Sequence, residues 1–340
     1  MKRTEVPASV PWTAVVVFVA VSMGLAWLIA LPLWRSDDGL ASSWSALVLP
    51  VMMLAPGIAT VVALLVQRPR PRPVMGFLGL WPIRPARRII WSSVAAVPAA
   101  ALLVVGGVFL SAGLGLVDVD LATFSGYAAQ LEQAGISELA LPIGTLVALQ
   151  LIAIPLNSLL SIPFALGEEL GWRGWLLPAL LPLGTWPALL LSGAIWGLWH
   201  SPIILLGYNY ARPGVSGLAL MTAACMIFGI LLGWLRLHTG SVWPAVMAHS
   251  AFNASAGFIS LVIAAGSNPD AAAVGPLGWV TCTLMAITIG AVFLSGGMRK
   301  VALTLFPRHE TLNIRVAQQA DPSSDDADAV SQVNSGGSRS

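Results

Sequence analysis

The chain has 340 residues, of which 57% are hydrophobic and 9% charged, with a mean hydropathy of +0.82. Soluble globular domains carry about a quarter charged residues, so this composition belongs in lipid rather than in water. A net charge of +2 is too small to mark a nucleic-acid partner.

Met1 to Pro11 places Lys2 and Arg3 ahead of an apolar run over about residues 10–34. That run is too long for a signal-peptide core and lacks a clear cleavage site, so it reads as the first membrane span. Apolar runs then recur along the chain and predict about eight spans. They lie near residues 12–33, 44–66, 89–113, 142–167, 187–206, 216–236, 242–265 and 275–297. Each is close to the ~20 residues that cross a bilayer. Helix is the expected form, because backbone polar groups in lipid must pair within their own segment. The fold class is therefore all-α, a polytopic transmembrane helix bundle.

Between the spans, the Arg-Pro repeat from Arg68 to Pro73 is a stiff cationic linker. Val117 to Leu141 holds Asp118, Asp120, Glu132 and Glu138 with no Lys or Arg, and reads as an external loop with some amphipathic helix. The tail after about Phe306 is Ser/Asp-rich and is expected to be disordered. Cys225 and Cys282 both fall inside apolar stretches, so they form no disulfide framework or CxxC zinc site. With both termini cytoplasmic, all of the 17 basic residues except Arg35 and Arg212 fall on the inner side. The positive-inside rule supports that orientation.

Ionisable groups inside a membrane are expensive and mark function by default. Three motifs carry them. Glu168-Glu169-Leu170-Gly171-Trp172-Arg173 is expected at the inner end of the fourth span. Glu169 and Arg173 are spaced i, i+4 with the acid first, the favourable order for an ion pair. That pairing leaves Glu168 to face a cavity as a general base. His200 lies in the fifth span, four residues after Trp196. His249 and Asn253, again i, i+4, share one face of the seventh span, where both can donate to a developing oxyanion. Each motif alone is equally well read as a helix-end ion pair, a core histidine or interhelical polar glue. Together they make a hydrolytic site the simplest joint explanation.

Glu168-Glu169-x-x-x-Arg173, Trp196-x-x-x-His200 and His249-x-x-x-Asn253, each on its own helix, resemble the CPBP family. That family includes the type II CAAX prenyl endopeptidases and the bacteriocin-processing or Abi proteins. The resemblance covers roughly residues 141–265, which it implies are a catalytic core. Residues 1–140 then hold the first three spans and the external loop, 266–305 the last span, and 306–340 the cytoplasmic tail. The resemblance implies an intramembrane endopeptidase in which Glu168 activates water with help from His200. His249 and Asn253 would hold the oxyanion, with Glu169, Arg173 and Trp196 in support. Trp196 departs from the Phe more usual in the family. Members are often classed as metalloproteases, so zinc held by Glu168, His200 and His249 stays open beside a metal-free scheme. The implied partners are the lipid bilayer and a membrane-associated peptide or protein, lipidated or not, reached from the cytoplasmic side. The Ala- and Arg-rich composition points to the cytoplasmic membrane of a high-GC bacterium.

Two other readings are open. A transporter or peptide-immunity protein would use the same residues as a binding or proton site. A rhomboid-like serine protease would use Ser216 of Gly214-Val215-Ser216-Gly217.

Overall fold

The computed structural model describes residues 7–136, 138 and 140–298. The expected tail lies outside them, as do Lys2, Arg3, Arg299, Lys300, Arg308, Arg315 and Arg339 of the charge partition. Among the described residues all regular structure is helical, apart from one isolated antiparallel bridge between Val119 and Ile263.

The helices, in chain order, are α1 (Trp12–Arg35), α2 (Ser45–Val66), α3 (Ala86–Gly113), α4 (Ser125–Gln133), α5 (Ile143–Leu160), α6 (Ile162–Glu169), α7 (Thr185–Trp199), α8 (Val215–Thr239), α9 (Trp243–Val262) and α10 (Ala271–Leu294). Seven of them, all but α4, α6 and α7, are long and apolar enough to cross a bilayer. The chain is a multi-pass membrane protein. The expected external helix is α4.

The fifth expected span is shorter than its apolar run. α7 has 15 residues and stops at His200, because Pro202 favours a break two residues on. Its ends nevertheless lie on opposite faces of the bundle. Near its start, Trp186 meets the ring of Phe293 at the end of α10. Just past its end, the carbonyl of Pro202 accepts from Trp34 Nε1 at the end of α1, 2.8 Å away.

Hydrogen bonds between loops sort the connections into two layers. On one face, Val242 N donates to Gly79 O (3.0 Å), Trp243 Nε1 to Leu80 O (3.3 Å) and Arg236 Nη2 to Phe77 O (2.7 Å). On the other, Asp120 N donates to Val262 O (2.8 Å) and Ala264 N to Asp118 O (2.9 Å). Arg212 there pairs with Asp270 at 2.5 Å, and Tyr210 donates to Leu277 O at 3.1 Å. On this second face Asp120 also accepts from Ala122, Thr123 and Ser125. The Thr123 hydroxyl and amide, then Ser125, hold its carboxyl well below the usual carboxylate range.

Lipid offers no hydrophobic force between helices, so close packing must hold them together. α1 packs on the second half of α2, where Ala55, Ala59 and Ala63 form a fully buried i, i+4 stripe. α7 and α8 approach through Gly197. A Cβ there would lie 2.4 Å from Thr222 Cα, which no other residue could tolerate in place.

Candidate active site

The fourth crossing does not end where its apolar run ends. α5 breaks at Ser161, whose hydroxyl lies 2.7 Å from that of Ser250, while Ser250 also donates to Ser158 O. α6 then runs into a π-helical segment, Leu170–Leu176, and helical turns continue to Leu183. π turns are rare and recur at functional sites. α6 and the π segment lie against the middle of α2, where Pro56 starts the second of its two helical pieces. A Cβ at Gly171 would sit 2.5 Å from Pro56 Cβ, so contact this close needs glycine.

Glu168 and Glu169 are therefore level with the middle of α2, not at an inner border as expected. They are 2% and 0% exposed. The extra turns bring Glu168 to the depth of the two histidines, and all three line the same cavity.

Each carboxylate has its own set of partners. Glu168 Oε2 accepts from the indole Nε1 of Trp196 at 2.6 Å and of Trp172 at 3.3 Å. Glu169 Oε1 accepts from Arg173 Nη1 at 2.8 Å, the i, i+4 pair expected, and from His249 Nδ1 at 2.8 Å. The guanidinium of Arg173 also lies 4.2 Å over the ring of Trp196. Glu169 Oε2 is buried with no partner among the described residues.

The two imidazoles are oriented by acceptors. His200 Nδ1 donates to Trp196 O at 2.9 Å, since a carbonyl can only accept. His249 Nδ1 donates to Glu169. In both rings this leaves Nε2 for other chemistry. Cys225 Sγ lies 3.9 Å from His200 Nδ1 on the buried side of that ring.

Glu168, His200, His249 and Asn253 line one cavity of about 320 Å³. Its walls are apolar and include Leu49, Met53, Phe164, Phe228 and Phe252. Three separate crossings thus bring the four expected side chains around a common space.

Residues 147–255 match the family model described as Type II CAAX prenyl endopeptidase Rce1-like. This segment is similar to that protease family. The matched range holds all three motifs and every polar residue of the cavity named above. No curated protein matches the chain.

Against this family frame, several sequence expectations change. Glu168 faces the cavity as expected, but two indoles hold one of its oxygens. No hydrogen bond joins Glu168 to His200, or His249 to Asn253, among the described residues. His249 instead reaches Glu169, 80 positions away in the chain. Trp172 was not singled out by sequence, although its i+4 spacing from Glu168 carries the signal. The cavity walls from α2 and from Tyr208 and Asn209 had no such signal, since nothing in their local pattern differs from lipid-facing sequence. Ser216 is exposed at the start of α8 and does not line the cavity. As for zinc, no three His, Cys, Asp or Glu side chains among the described residues lie together as a ligand set.

Proposed function

We propose that the chain is an intramembrane endopeptidase that hydrolyses a peptide bond of a membrane-associated protein or peptide. The observation that carries this reading is the convergence of Glu168, His200, His249 and Asn253 on one cavity inside the bundle. A buried carboxylate, two imidazoles and an amide supply what acyl transfer to water needs.

The indoles of Trp172 and Trp196 fix one oxygen of Glu168, so Oε1 is the atom that takes a proton from water. His200, with Nδ1–H committed to the Trp196 carbonyl, presents Nε2 as an acceptor that orients the same water. Hydroxide attacks the scissile carbonyl, and Asn253 donates to the oxyanion that forms. His249 donates there as imidazolium, with Glu169 balancing its charge across the Nδ1–H bond. Glu168 then returns its proton to the leaving amine. The peptide bond breaks, and one water is consumed. No step of this scheme is routed through a metal.

The test is quantitative mass spectrometry of membrane-derived peptides from cells carrying the wild-type chain or Glu168→Gln at matched levels. Products present with the first and absent with the second are expected. Equal products from both would refute catalysis by Glu168 and favour a binding or transport role.

A further inference from the structure

We propose that the cavity opens on the face of the bundle opposite the arginine-rich loops, and that the substrate is the extracytoplasmic juxtamembrane segment of a membrane-anchored polypeptide. This rests on the proteolytic reading above and reverses the cytoplasmic access expected from sequence.

The cavity has a closed floor and an open lip. Glu168 and His249 form the floor. Directly behind them Trp172 and Trp175 are fully buried, and Trp175 Nε1 donates to Gln67 Oε1 at 3.0 Å. Arg236, also buried, donates to Arg173 O (3.1 Å) and Phe77 O (2.7 Å). Those bonds seal the bundle on the side of the 67–85 loop. No residue of that loop lines the cavity, nor does any residue of 170–184 or 229–248.

The lip is built from the other layer. Tyr208 and Asn209, in the loop after α7, and Pro276 and Leu277, in α10, line it. Tyr210 and the Arg212–Asp270 pair tie these two segments together. Asn253 and Ala256 lie on the part of α9 that leads to the same layer.

The two layers carry opposite charge. The floor side exposes Arg68, Arg70, Arg72, Arg84, Arg87 and Arg88. Among the described residues the lip side exposes Asp118, Glu132, Glu138 and Asp270, with Asp37 and Asp38, against only Arg35 and Arg212. Cytoplasmic loops are the ones enriched in Lys and Arg, so the floor faces the cytoplasm and the lip faces outward. A peptide entering from the lip meets the apolar wall of Leu49, Met53, Phe164 and Phe252 beside Glu168, which suits an apolar sequence at the scissile bond.

The orientation is tested with cysteine variants of the full chain in spheroplasts, using a membrane-impermeant maleimide. Cys225 and Cys282 are buried, so the parent chain gives the background. Glu132→Cys on α4 and Asn209→Cys at the lip are expected to label from outside at least tenfold more than Arg70→Cys. Arg70→Cys labels only after permeabilisation. The reverse pattern overturns the proposal, and so does an Asn209→Cys that resists external label while Glu132→Cys accepts it. Labelling is read without cleavage, so it is scored apart from the protease reading: products retained by Glu168→Gln would sink that reading and leave the orientation standing. In the peptide comparison, Glu168-dependent cleavage sites are expected in extracytoplasmic juxtamembrane segments. Sites confined to cytoplasmic segments would overturn the proposed substrate.

Discussion

Arg173→Ala isolates the energetics of the buried network. In the native protein the guanidinium neutralises Glu169 at 2.8 Å and lies 4.2 Å over Trp196, with both charged side chains at most 2% exposed. Removing it leaves Glu169 with His249 as its remaining partner and one carboxylate oxygen still unpaired. Breaking a buried ion pair from one side costs about 3–5 kcal/mol. The lost cation–π contact adds about 1–2 kcal/mol at a desolvated site. The expected destabilisation is therefore at least about 3 kcal/mol, read by reversible unfolding of purified protein in mixed micelles. The discriminating measurement is a double-mutant cycle with Glu169→Gln, which removes the charge that Arg173 balances. The double variant Glu169→Gln/Arg173→Ala should be more stable than the sum of the two single losses by roughly 1–3 kcal/mol, the range for residues in one network. An Arg173→Ala loss below about 1 kcal/mol, the range of exposed pairs, would refute the reasoning, as would strict additivity.

Other consequences follow from the same geometry. Glu168→Gln keeps the shape of the cavity and should lower cleavage about 10²–10⁴-fold, the usual worth of a general base, with an unchanged unfolding midpoint. Ser216→Ala should cleave at the wild-type rate, because Ser216 lies outside the cavity; a dead Ser216→Ala would revive the serine-protease reading. Gly197→Ala should destabilise the α7–α8 contact by about 1–3 kcal/mol through overpacking, visible as a lowered midpoint in thermal unfolding. For Asp120 the sign follows from its depressed carboxyl: its contribution to the loop before α4 is present above about pH 4, the ordinary carboxylate value, and is lost as pH falls further below it. Amide exchange over residues 118–126 should therefore speed up on acidification beyond the intrinsic pH effect, and Asp120→Asn should remove that dependence.

Much of the site was legible before any coordinates. Glu169 and Arg173 are four apart on a helix, so their pairing is a local property. The order of the three motifs along the apolar runs was equally plain, and it agrees with the family match over residues 147–255. What stayed hidden was non-local. The His249–Glu169 bond, the Trp196 indole on Glu168 and the wall from α2 join segments far apart in sequence. The shortness of α7 was masked because the apolar run continues past Pro202 into a separate turn.

By itself the sequence determined that the chain enters lipid, roughly where it crosses, and which few polar side chains it carries into the bundle. Hydropathy reports solvent preference, and that preference is written residue by residue. Tertiary structure decided the depth of Glu168, the partner of His249 and the face on which the cavity opens. Those depend on how each helix is rotated and broken against its neighbours. In a uniformly apolar helix rotation leaves no periodic trace, because lipid and protein interior reward the same side chains.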